Sequence, residues 1–237
     1  RLESLGIKSY DDIDSVQEKN VLIRTHGVAP SVYQEIEKHG HEYFDCTCPK
    51  VKRVQQIARE HAEAGYQVLI LGDCKHPEVM AIVGWTNDTA IVFSSLDELK
   101  SLSLEGKRIC LVSQTTEKIE RFEKAVEYLE SLSLEELVVQ NTICTATRDR
   151  QSDASELAAK VDLMVVIGGY NSANTCKLVS ICQDVGVATK HVETAAELQR
   201  EWFEGVDKIG LTAGASTPDW IIREVIDKME ELTMEQG

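Results

Sequence analysis

The chain has 237 residues, of which 43% are hydrophobic, and its formal net charge at pH 7 is −15. A chain of this kind can bury a hydrophobic core within one large domain or two to three small ones. The acidic balance argues against nucleic acid as a partner, because binding phosphate backbones requires a clustered basic face. The sequence shows neither an apolar run of about 18 residues nor a signal-peptide pattern, so we expect a cytoplasmic protein without a membrane partner.

Strand-like runs alternate with amphipathic, helix-like segments along the chain. Runs rich in valine, isoleucine and leucine occur at about 20–25, 67–72, 89–94, 108–113, 136–141, 162–168, 187–192 and 207–212. The clearest helical segments lie at 30–40, 49–65, 117–132, 149–161 and 217–232. This alternation is typical of parallel sheets covered by helices on both faces, and it predicts an α/β fold.

An internal repeat relates two long segments of the chain. Cys48 and Cys144 are 96 residues apart, and so are Gly72 and Gly168. Each cysteine ends a β-prone run and precedes a helix-prone segment, and each glycine follows a strand-like run. The repeat predicts one module at 1–100, a second at 101–192, and a partial third module at 193–237 whose N-terminal part is missing.

Cys48 and Cys144 are the best candidates for metal ligands. A helix follows each of them, and its positive end lowers the thiol pKa and favours metal ligation. Two thiolates at equivalent positions favour an iron–sulfur cluster over zinc, because no further Cys/His pair with zinc-finger spacing is present. The remaining thiols are either open candidates, namely Cys46 and Cys74, or predicted packed residues, namely Cys110, Cys176 and Cys182.

Polar loops follow the predicted strands, and ligands of α/β folds bind beyond the carboxyl ends of strands. Hydroxyl and amide side chains at the following helix starts suit a phosphate or diphosphate, with simple N-capping as the alternative for each. The residues concerned are Ser172, Asn174, Thr175, Ser216 and Thr217.

His26 and His76 lie in two of these loops, where an imidazole can donate to an anion, relay a proton, bind metal, or only order the loop. Glu78 can deliver a proton through a hydroxyl such as Thr115, or only stabilise its helix dipole. A zinc hydrolase built on the two histidines and Glu78 is a further alternative, disfavoured by the cysteine pair and the lack of a His-x-x-x-His face. The other histidines are interpreted as surface or turn residues, namely His39, His41, His61 and His191.

Seven motifs in order make the chain resemble the LytB-type 4-hydroxy-3-methylbut-2-enyl diphosphate reductase family. They are RTHGV at 24–28, TCP at 47–49, HPEV at 76–79, QTT at 114–116, ICTATRDRQ at 143–151, NSAN at 171–174 and TAGAS at 212–216. The resemblance covers essentially the whole chain. It implies a pseudo-threefold arrangement of small parallel-sheet α/β modules around a central [4Fe-4S] cluster held by three cysteines, two of which match Cys48 and Cys144.

The same resemblance implies an activity and roles for residues. The family's enzymes reductively remove the hydroxyl of 4-hydroxy-3-methylbut-2-enyl diphosphate, the last step of the methylerythritol phosphate route, giving isopentenyl and dimethylallyl diphosphates. Their electrons would come from a ferredoxin or flavodoxin. Glu78 matches the proton-delivering acid, and Thr115 the hydroxyl that relays or orients the proton. Positions that hold the diphosphate or line its pocket match His26, His76, Thr116, Ser172, Ala173, Asn174 and Ser216.

Two departures from the family pattern leave an alternative open. The family's first cluster cysteine lies in a Gly-x-Cys-x-Gly-Val segment, followed later by a His-Asn pair, and neither motif occurs here. We therefore expect the sequence to begin after them, without one cluster ligand and one diphosphate-site histidine. Ser172-Ala173 also stands where the family has paired serines. The alternative is an inactive fragment or a noncatalytic diphosphate-binding module.

Overall fold

The computed structural model describes residue 4 and residues 6–234, so the outermost ends of the first and third predicted modules lie outside the described residues. The chain divides into two compact units. The first unit is Arg1–Thr115 with Glu120–Thr142, and the second unit is Thr116–Ile119 with Ile143–Gly237. Every strand pairing in the described residues is parallel, which confirms the α/β class with small parallel sheets.

The first unit contains two parallel sheets. The smaller sheet pairs β1 (Asn20–Ile23) with β2 (Glu42–Asp45). The larger sheet consists of β3 (Gln67–Leu71), β4 (Ile91–Phe93), β5 (Arg108–Ser113) and β6 (Glu136–Val139), in the order β4-β3-β5-β6. The eight predicted strand runs omitted β2, although the order of the repeat placed a strand before Cys48.

The helices of the first unit cover these sheets. They are α1 (Pro30–Lys38), α2 (Pro49–Glu63), α3 (Pro77–Trp85), α4 (Leu96–Lys100) and most of α5 (Ile119–Glu130). The first three begin with proline, whose missing N–H is not needed at a first helical position. The core between α2, α3 and the larger sheet is formed by Val54, Ile57, Ala58, Val68, Ile70, Val79, Ile82, Cys110 and Val112.

The second unit has one three-stranded parallel sheet. Its strands are β7 (Leu163–Ile167), β8 (Ala188–Val192) and β9 (Ile209–Ala213), in the order β8-β7-β9. All five residues of β7 are buried, as expected for a central strand covered on both faces. The helices are α6 (Thr145–Ala158), α7 (Ala173–Val185) and α8 (Asp219–Met234). The sequence predicted α6 to begin at 149, but it begins directly after Cys144.

The 96-residue repeat is present in the secondary structure. Cys48 and Cys144 are the N-cap residues of α2 and α6. Gly72 and Gly168 directly follow β3 and β7. The four-stranded sheet contains strands from both sides of residue 100, and the three-stranded sheet contains strands from both sides of residue 192. The division into three modules remains a prediction.

Every helix within the described residues is too short or too polar to cross a bilayer.

Candidate functional site

The loop after β5 and the start of α3 bring Thr115 and Glu78 together. Glu78 is in the first turn of α3 and only 2% exposed. Its Oε1 accepts the backbone N–H of Thr115 at 2.6 Å, and its Oε2 accepts the Thr115 hydroxyl at 2.8 Å. Burial raises the pKa of Glu78 above its ordinary value, and the hydrogen bonds from Thr115 oppose this without cancelling it. Glu78 can therefore keep a proton at a higher pH than an exposed glutamate, as a proton donor must.

Two imidazoles lie next to this acid. His76 is the N-cap residue of α3, and its Nδ1 accepts the N–H of Glu78 at 3.2 Å, so the proton of the neutral ring is on Nε2. The rings of His26 and His76 meet edge to face, with centroids 5.1 Å apart. Burial lowers the pKa of both histidines, and the charge of Arg24 lowers it further. Neutral rings at pH 7 can donate an N–H to an anionic ligand.

The ring of His26 also has an atom without a partner. Its Nδ1 is buried and makes no hydrogen bond to any described residue. The next residue, Gly27, has a φ of +71°, and a Cβ on it would lie 2.5 Å from Gln55 Nε2 and 2.9 Å from Thr47 Cγ2, so the loop passes close to the segment before Cys48. Buried polar atoms are normally satisfied, so a ligand or water at this loop would complete the hydrogen bonding of His26.

Cys48 lies between β2 and α2, beside the same loop. Its N–H donates to the carbonyl of Thr25 at 3.0 Å, and its side chain does not cap α2. The thiol is half-buried and forms no disulfide. Cys48 is therefore a candidate metal ligand. Its backbone hydrogen bond to Thr25 places it near His26, the next residue of that loop.

In the second unit, the NSAN motif spans the loop residue before the N-cap of α7, the N-cap itself and the first turn of the helix. The Ser172 Oγ caps this helix by accepting the N–H of Thr175 at 3.3 Å. Asn174 is 7% exposed, and both its amide nitrogen and its amide oxygen are buried without a hydrogen-bond partner among the described residues. Ala173 offers no polar group. The unpaired Asn174 amide and the helix N-terminus together suit an anionic ligand.

The loops before α7 and α8 lie against each other at Gly168. This glycine has a φ of +145°, and a Cβ on it would lie 2.6 Å from Thr175 Oγ1 and 2.7 Å from Thr217 Oγ1. The Thr217 hydroxyl donates to the carbonyl of Ile167 at 3.1 Å. Ser216 precedes Thr217 and is exposed. The structure therefore brings the NSAN and TAGAS motifs to the same edge of the three-stranded sheet, as their positions after β7 and β9 predicted.

Cys144 holds the same position in the second unit that Cys48 holds in the first. It is a half-buried free thiol at the N-cap of α6, and its side chain does not cap the helix. Thr116 belongs to the short segment Thr116–Ile119 of this unit. On α6, Gln151 directs its amide nitrogen to the carbonyl of Thr116 at 3.5 Å. The predicted sharing of one cluster by Cys48 and Cys144 remains a prediction.

His191 and Tyr170, which were not candidates from the sequence, support the loop that carries Ser172. The Nε2 of His191 lies 2.8 Å from the carbonyl oxygen of Gly168, and its ring packs on Tyr170 with centroids 4.5 Å apart. The Tyr170 hydroxyl donates to Glu197, which raises the pKa of Tyr170 to about 12. These contacts hold the loop that carries Ser172. Only the pairing of β8 with β7 would have indicated them.

The other cysteines are less suited to ligation. Cys110 and Cys182 are buried, as predicted, and burial raises the pKa of Cys110 to about 12 and that of Cys182 above its ordinary value. Cys176 was predicted to be packed, and this is wrong. It lies on the outer side of the first turn of α7, where its exposed thiol donates to the carbonyl of Tyr170 at 3.1 Å. Cys46 and Cys74 are exposed.

The histidines and Glu78 of the first unit do not form a zinc site. Within the described residues, the only three potential ligands that lie within 4.8 Å of one another are Asp14, Glu35 and His39, on the surface of the first unit. The carboxylate of Glu78 is instead turned toward Thr115. The geometry therefore does not support the zinc-hydrolase alternative.

Comparison with protein families decides which family these motifs represent. The model of a family described as LytB protein matches residues 1–230. The chain belongs to the LytB family. Its motif order and its α/β fold are thus those of LytB, and the resemblance inferred from the seven motifs is confirmed.

Two LytB relatives are similar in sequence to nearly the whole of this chain. A 4-hydroxy-3-methylbut-2-enyl diphosphate reductase from Trichlorobacter lovleyi is 44% identical over 233 residues, which cover 98% of this chain and 82% of the relative. The reductase of the same name from Clostridioides difficile is 42% identical over 234 residues, covering 98% of this chain and 83% of the relative.

Solved structures of such reductases are also similar. One, described as the terminal enzyme of the non-mevalonate pathway, is 39% identical, with a TM-score of 0.64 over 97% of this chain and 82% of that one. The E-1-hydroxy-2-methyl-but-2-enyl-4-diphosphate reductase from Plasmodium falciparum is 25% identical, with a TM-score of 0.89 over 97% of this chain and 73% of that one. The roles of individual residues in this LytB chain remain predictions.

Proposed function

We propose that this LytB protein is a 4-hydroxy-3-methylbut-2-enyl diphosphate reductase. The reaction takes up two electrons and two protons, breaks the C–O bond of the substrate's hydroxyl, and releases water with isopentenyl or dimethylallyl diphosphate. It is the terminal step of the non-mevalonate, or methylerythritol phosphate, route. The names of relatives at 42% and 44% identity support this assignment.

The observation that carries the proposal is the buried Glu78 carboxyl bonded to Thr115. Reductive loss of a hydroxyl needs a proton placed at the reacting carbon or at the leaving oxygen. Because burial raises its pKa, Glu78 keeps such a proton to a higher pH than an exposed glutamate, and the Thr115 hydroxyl lies 2.8 Å from Oε2. We assign Glu78 as the proton source and Thr115 as the hydroxyl that relays or orients the proton.

We propose Cys48 and Cys144 as ligands of a [4Fe-4S] cluster. Both are free, half-buried N-cap residues whose side chains do not cap their helices, so each thiol is available as a ligand. The buried thiol of Cys110, with a pKa of about 12, does not fit this role. When bound, the cluster supplies the electrons of the reduction and a Lewis-acidic iron for the substrate hydroxyl.

We propose that the diphosphate is held by neutral donors and not by a cluster of lysines or arginines. Nε2–H of His76 and the unpartnered ring nitrogen of His26 serve this purpose, as do the Ser172 hydroxyl and the unpaired Asn174 amide. We also propose Thr116, Ala173 and Ser216 as residues that contact the bound substrate. Ala173 lacks a hydroxyl, so Ser172 carries that contact alone.

The electrons must reach the protein from a partner. We propose a ferredoxin or flavodoxin as the donor, because such proteins carry single electrons at low potential. The cytoplasmic location and the absence of nucleic-acid and membrane partners remain predictions.

Anaerobic reconstitution with iron and sulfide tests the proposal on the protein expressed from its complete gene. We expect broad visible absorbance, and conversion of the substrate with reduced methyl viologen as the artificial reductant. Cys48→Ser and Cys144→Ser should each lose both properties. Cys176→Ser removes an exposed thiol and should retain both.

The possible results separate the proposed enzyme from the alternative. A loaded cluster without turnover, combined with tight substrate binding, would indicate a noncatalytic diphosphate-binding module. Unchanged absorbance in Cys48→Ser or Cys144→Ser would show that the cluster has other ligands. A protein that stays colourless and inactive under these conditions would contradict the proposed function.

A further inference from the structure

The start of α2 differs in charge from the rest of the chain. The sequence has 40 acidic and 25 basic residues, but residues 46–59 contain four basic residues and no acidic one. These are Lys50, Lys52, Arg53 and Arg59. The segment begins at Cys46 and includes Cys48. The local charge beside the proposed cluster ligand is therefore opposite to the net charge of −15.

Two of these four cations are not neutralised by neighbours. Lys52 pairs with Asp45 at 2.7 Å, and Arg59 pairs with Glu63 at 2.7 Å. Lys50 and Arg53 are exposed and form no ion pair or side-chain hydrogen bond with any described residue. They are three residues apart on α2, so they lie on the same side of the helix. Their charges therefore face solvent together.

Two more cations without an ion pair in the described part of the chain lie on adjoining loops. Arg24 follows β1, and Lys75 precedes His76 in the loop after β3; both are exposed. The bond from the Cys48 N–H to Thr25 links the first loop to the start of α2, and the contact between His26 and His76 links the two loops. We call the set Arg24, Lys50, Arg53 and Lys75 the basic face.

We infer that the basic face is the docking surface for a small acidic electron-transfer protein. The inference rests on the proposed function, because only a reductase needs electrons from outside. Such a donor is repelled by a chain of net charge −15 unless a local patch of opposite sign attracts it. Complementary charge raises the rate of encounter and selects the face that meets the donor. Docking here places the donor's redox centre next to Cys48, and each of two reduced donors gives up one electron per turnover.

The same cations could instead attract the diphosphate substrate. The two roles predict different kinetics, because a donor-docking face affects the KM for the donor protein alone. A substrate-steering face affects the KM for the substrate even when a small artificial reductant replaces the donor. Lys50 and Arg53 are suited to this comparison, since neither belongs to the proposed catalytic or diphosphate-binding residues.

The test compares two double variants of the reconstituted full-length protein. Lys50→Glu/Arg53→Glu reverses two charges of the basic face. Lys107→Glu/Lys124→Glu makes the same change in net charge at two exposed lysines, on the turn before β5 and on α5. The KM for a purified, reduced acidic ferredoxin is measured at low salt, and the KM for the substrate with reduced methyl viologen.

For Lys50→Glu/Arg53→Glu we expect the KM for ferredoxin to rise about 10-fold, with methyl viologen turnover and substrate KM unchanged. The control should change the ferredoxin KM by less than about 2-fold, and added salt should reduce the difference. Equal effects in both variants would overturn the inference, as would a higher substrate KM with methyl viologen. An unaltered protein that fails to turn over with methyl viologen would overturn the proposed function, and the docking inference with it.

Discussion

Replacing Glu78 with glutamine should separate the chemical role of this residue from its structural role. In the native protein its two oxygens accept the N–H and the hydroxyl of Thr115, at 2.6 Å and 2.8 Å. A glutamine keeps one acceptor for the N–H, and its NH₂ group can donate to the Thr115 hydroxyl oxygen. Glu78→Gln therefore retains both contacts but has no proton to transfer.

The expected magnitudes follow from these two hydrogen bonds. Losing a positioned general acid lowers kcat by about 10²–10⁴-fold. Glu78→Gln should change the free energy of unfolding by less than about 1 kcal/mol, because both bonds are replaced. Glu78→Ala leaves two donors of Thr115 unsatisfied, and Thr115 is only 6% exposed. Each unsatisfied buried donor costs about 1–3 kcal/mol, so we expect Glu78→Ala to cost about 2–6 kcal/mol.

Two assays on the same preparations decide between these roles. Turnover with reduced methyl viologen gives kcat, and urea unfolding of the cluster-free chain gives stability. If Glu78→Gln retained more than about a tenth of the native kcat, Glu78 would not be the proton donor. If the free energy of unfolding of Glu78→Ala equalled that of Glu78→Gln, the two hydrogen bonds from Thr115 to Glu78 would contribute nothing to stability.

Three further predictions concern pH, backbone geometry and the cysteines. Since burial raises the pKa of Glu78, the folded state holds its proton longer than the unfolded state, and stability falls as pH rises from about 4.5 through the raised pKa. Glu78→Gln should remove this decline, and parallel pH profiles of the melting temperature would contradict it. Gly168→Ala should cost about 2 kcal/mol more than Gly205→Ala, because only the Cβ at Gly168 meets neighbours within 4 Å, although both glycines have positive φ. Equal shifts in thermal unfolding would refute this. Cys48→Ser and Cys144→Ser should stabilise the cluster-free chain by up to about 1 kcal/mol, since serine can cap α2 and α6. Urea unfolding measures this, and a loss of stability would show that the thiols pack in the apo protein.

Most of the fold could be predicted because buried parallel strands leave a clear apolar pattern. The LMVVI run of β7 is buried at every position and was predicted from its composition. The missed strand β2 has the sequence EYFD, and its Phe44 is 62% exposed, so no buried apolar pattern marks it. The start of α6 was placed late because its first turn, Thr-Ala-Thr-Arg, contains two β-branched residues of weak helix propensity.

The candidate site was predictable where a residue type has distinctive chemistry, and not where a contact depends on strand pairing. The sequence predicted that Glu78 and Thr115 act together, and in the structure the Thr115 hydroxyl lies 2.8 Å from Glu78 Oε2. His191 was taken for a surface or turn residue because its partner, Gly168, is 23 positions away. The two residues approach each other because β8 pairs with β7, with His191 opposite Val166. The burial of Cys176 was also predicted wrongly, because the rotation of α7 about its axis decides which of its residues are exposed.

The N-cap residues of the helices show how the site departs from the best local choice. In α4 and α7 a serine begins the helix and accepts a backbone N–H, at Ser95 and Ser172. In α2 and α6 a cysteine stands at that position and accepts none, which forgoes about 1 kcal/mol of capping in each helix. A capping side chain is thus absent at Cys48 and Cys144, which stand 96 residues apart in the repeat, and also at Ala29 before α1. Ala29 offers no ligand atom, so an uncapped start alone does not mark a functional residue. At Cys48 and Cys144 the uncapped residue is a thiol, and local rules of stability tend to be broken where function requires it, which agrees with the proposed ligand role.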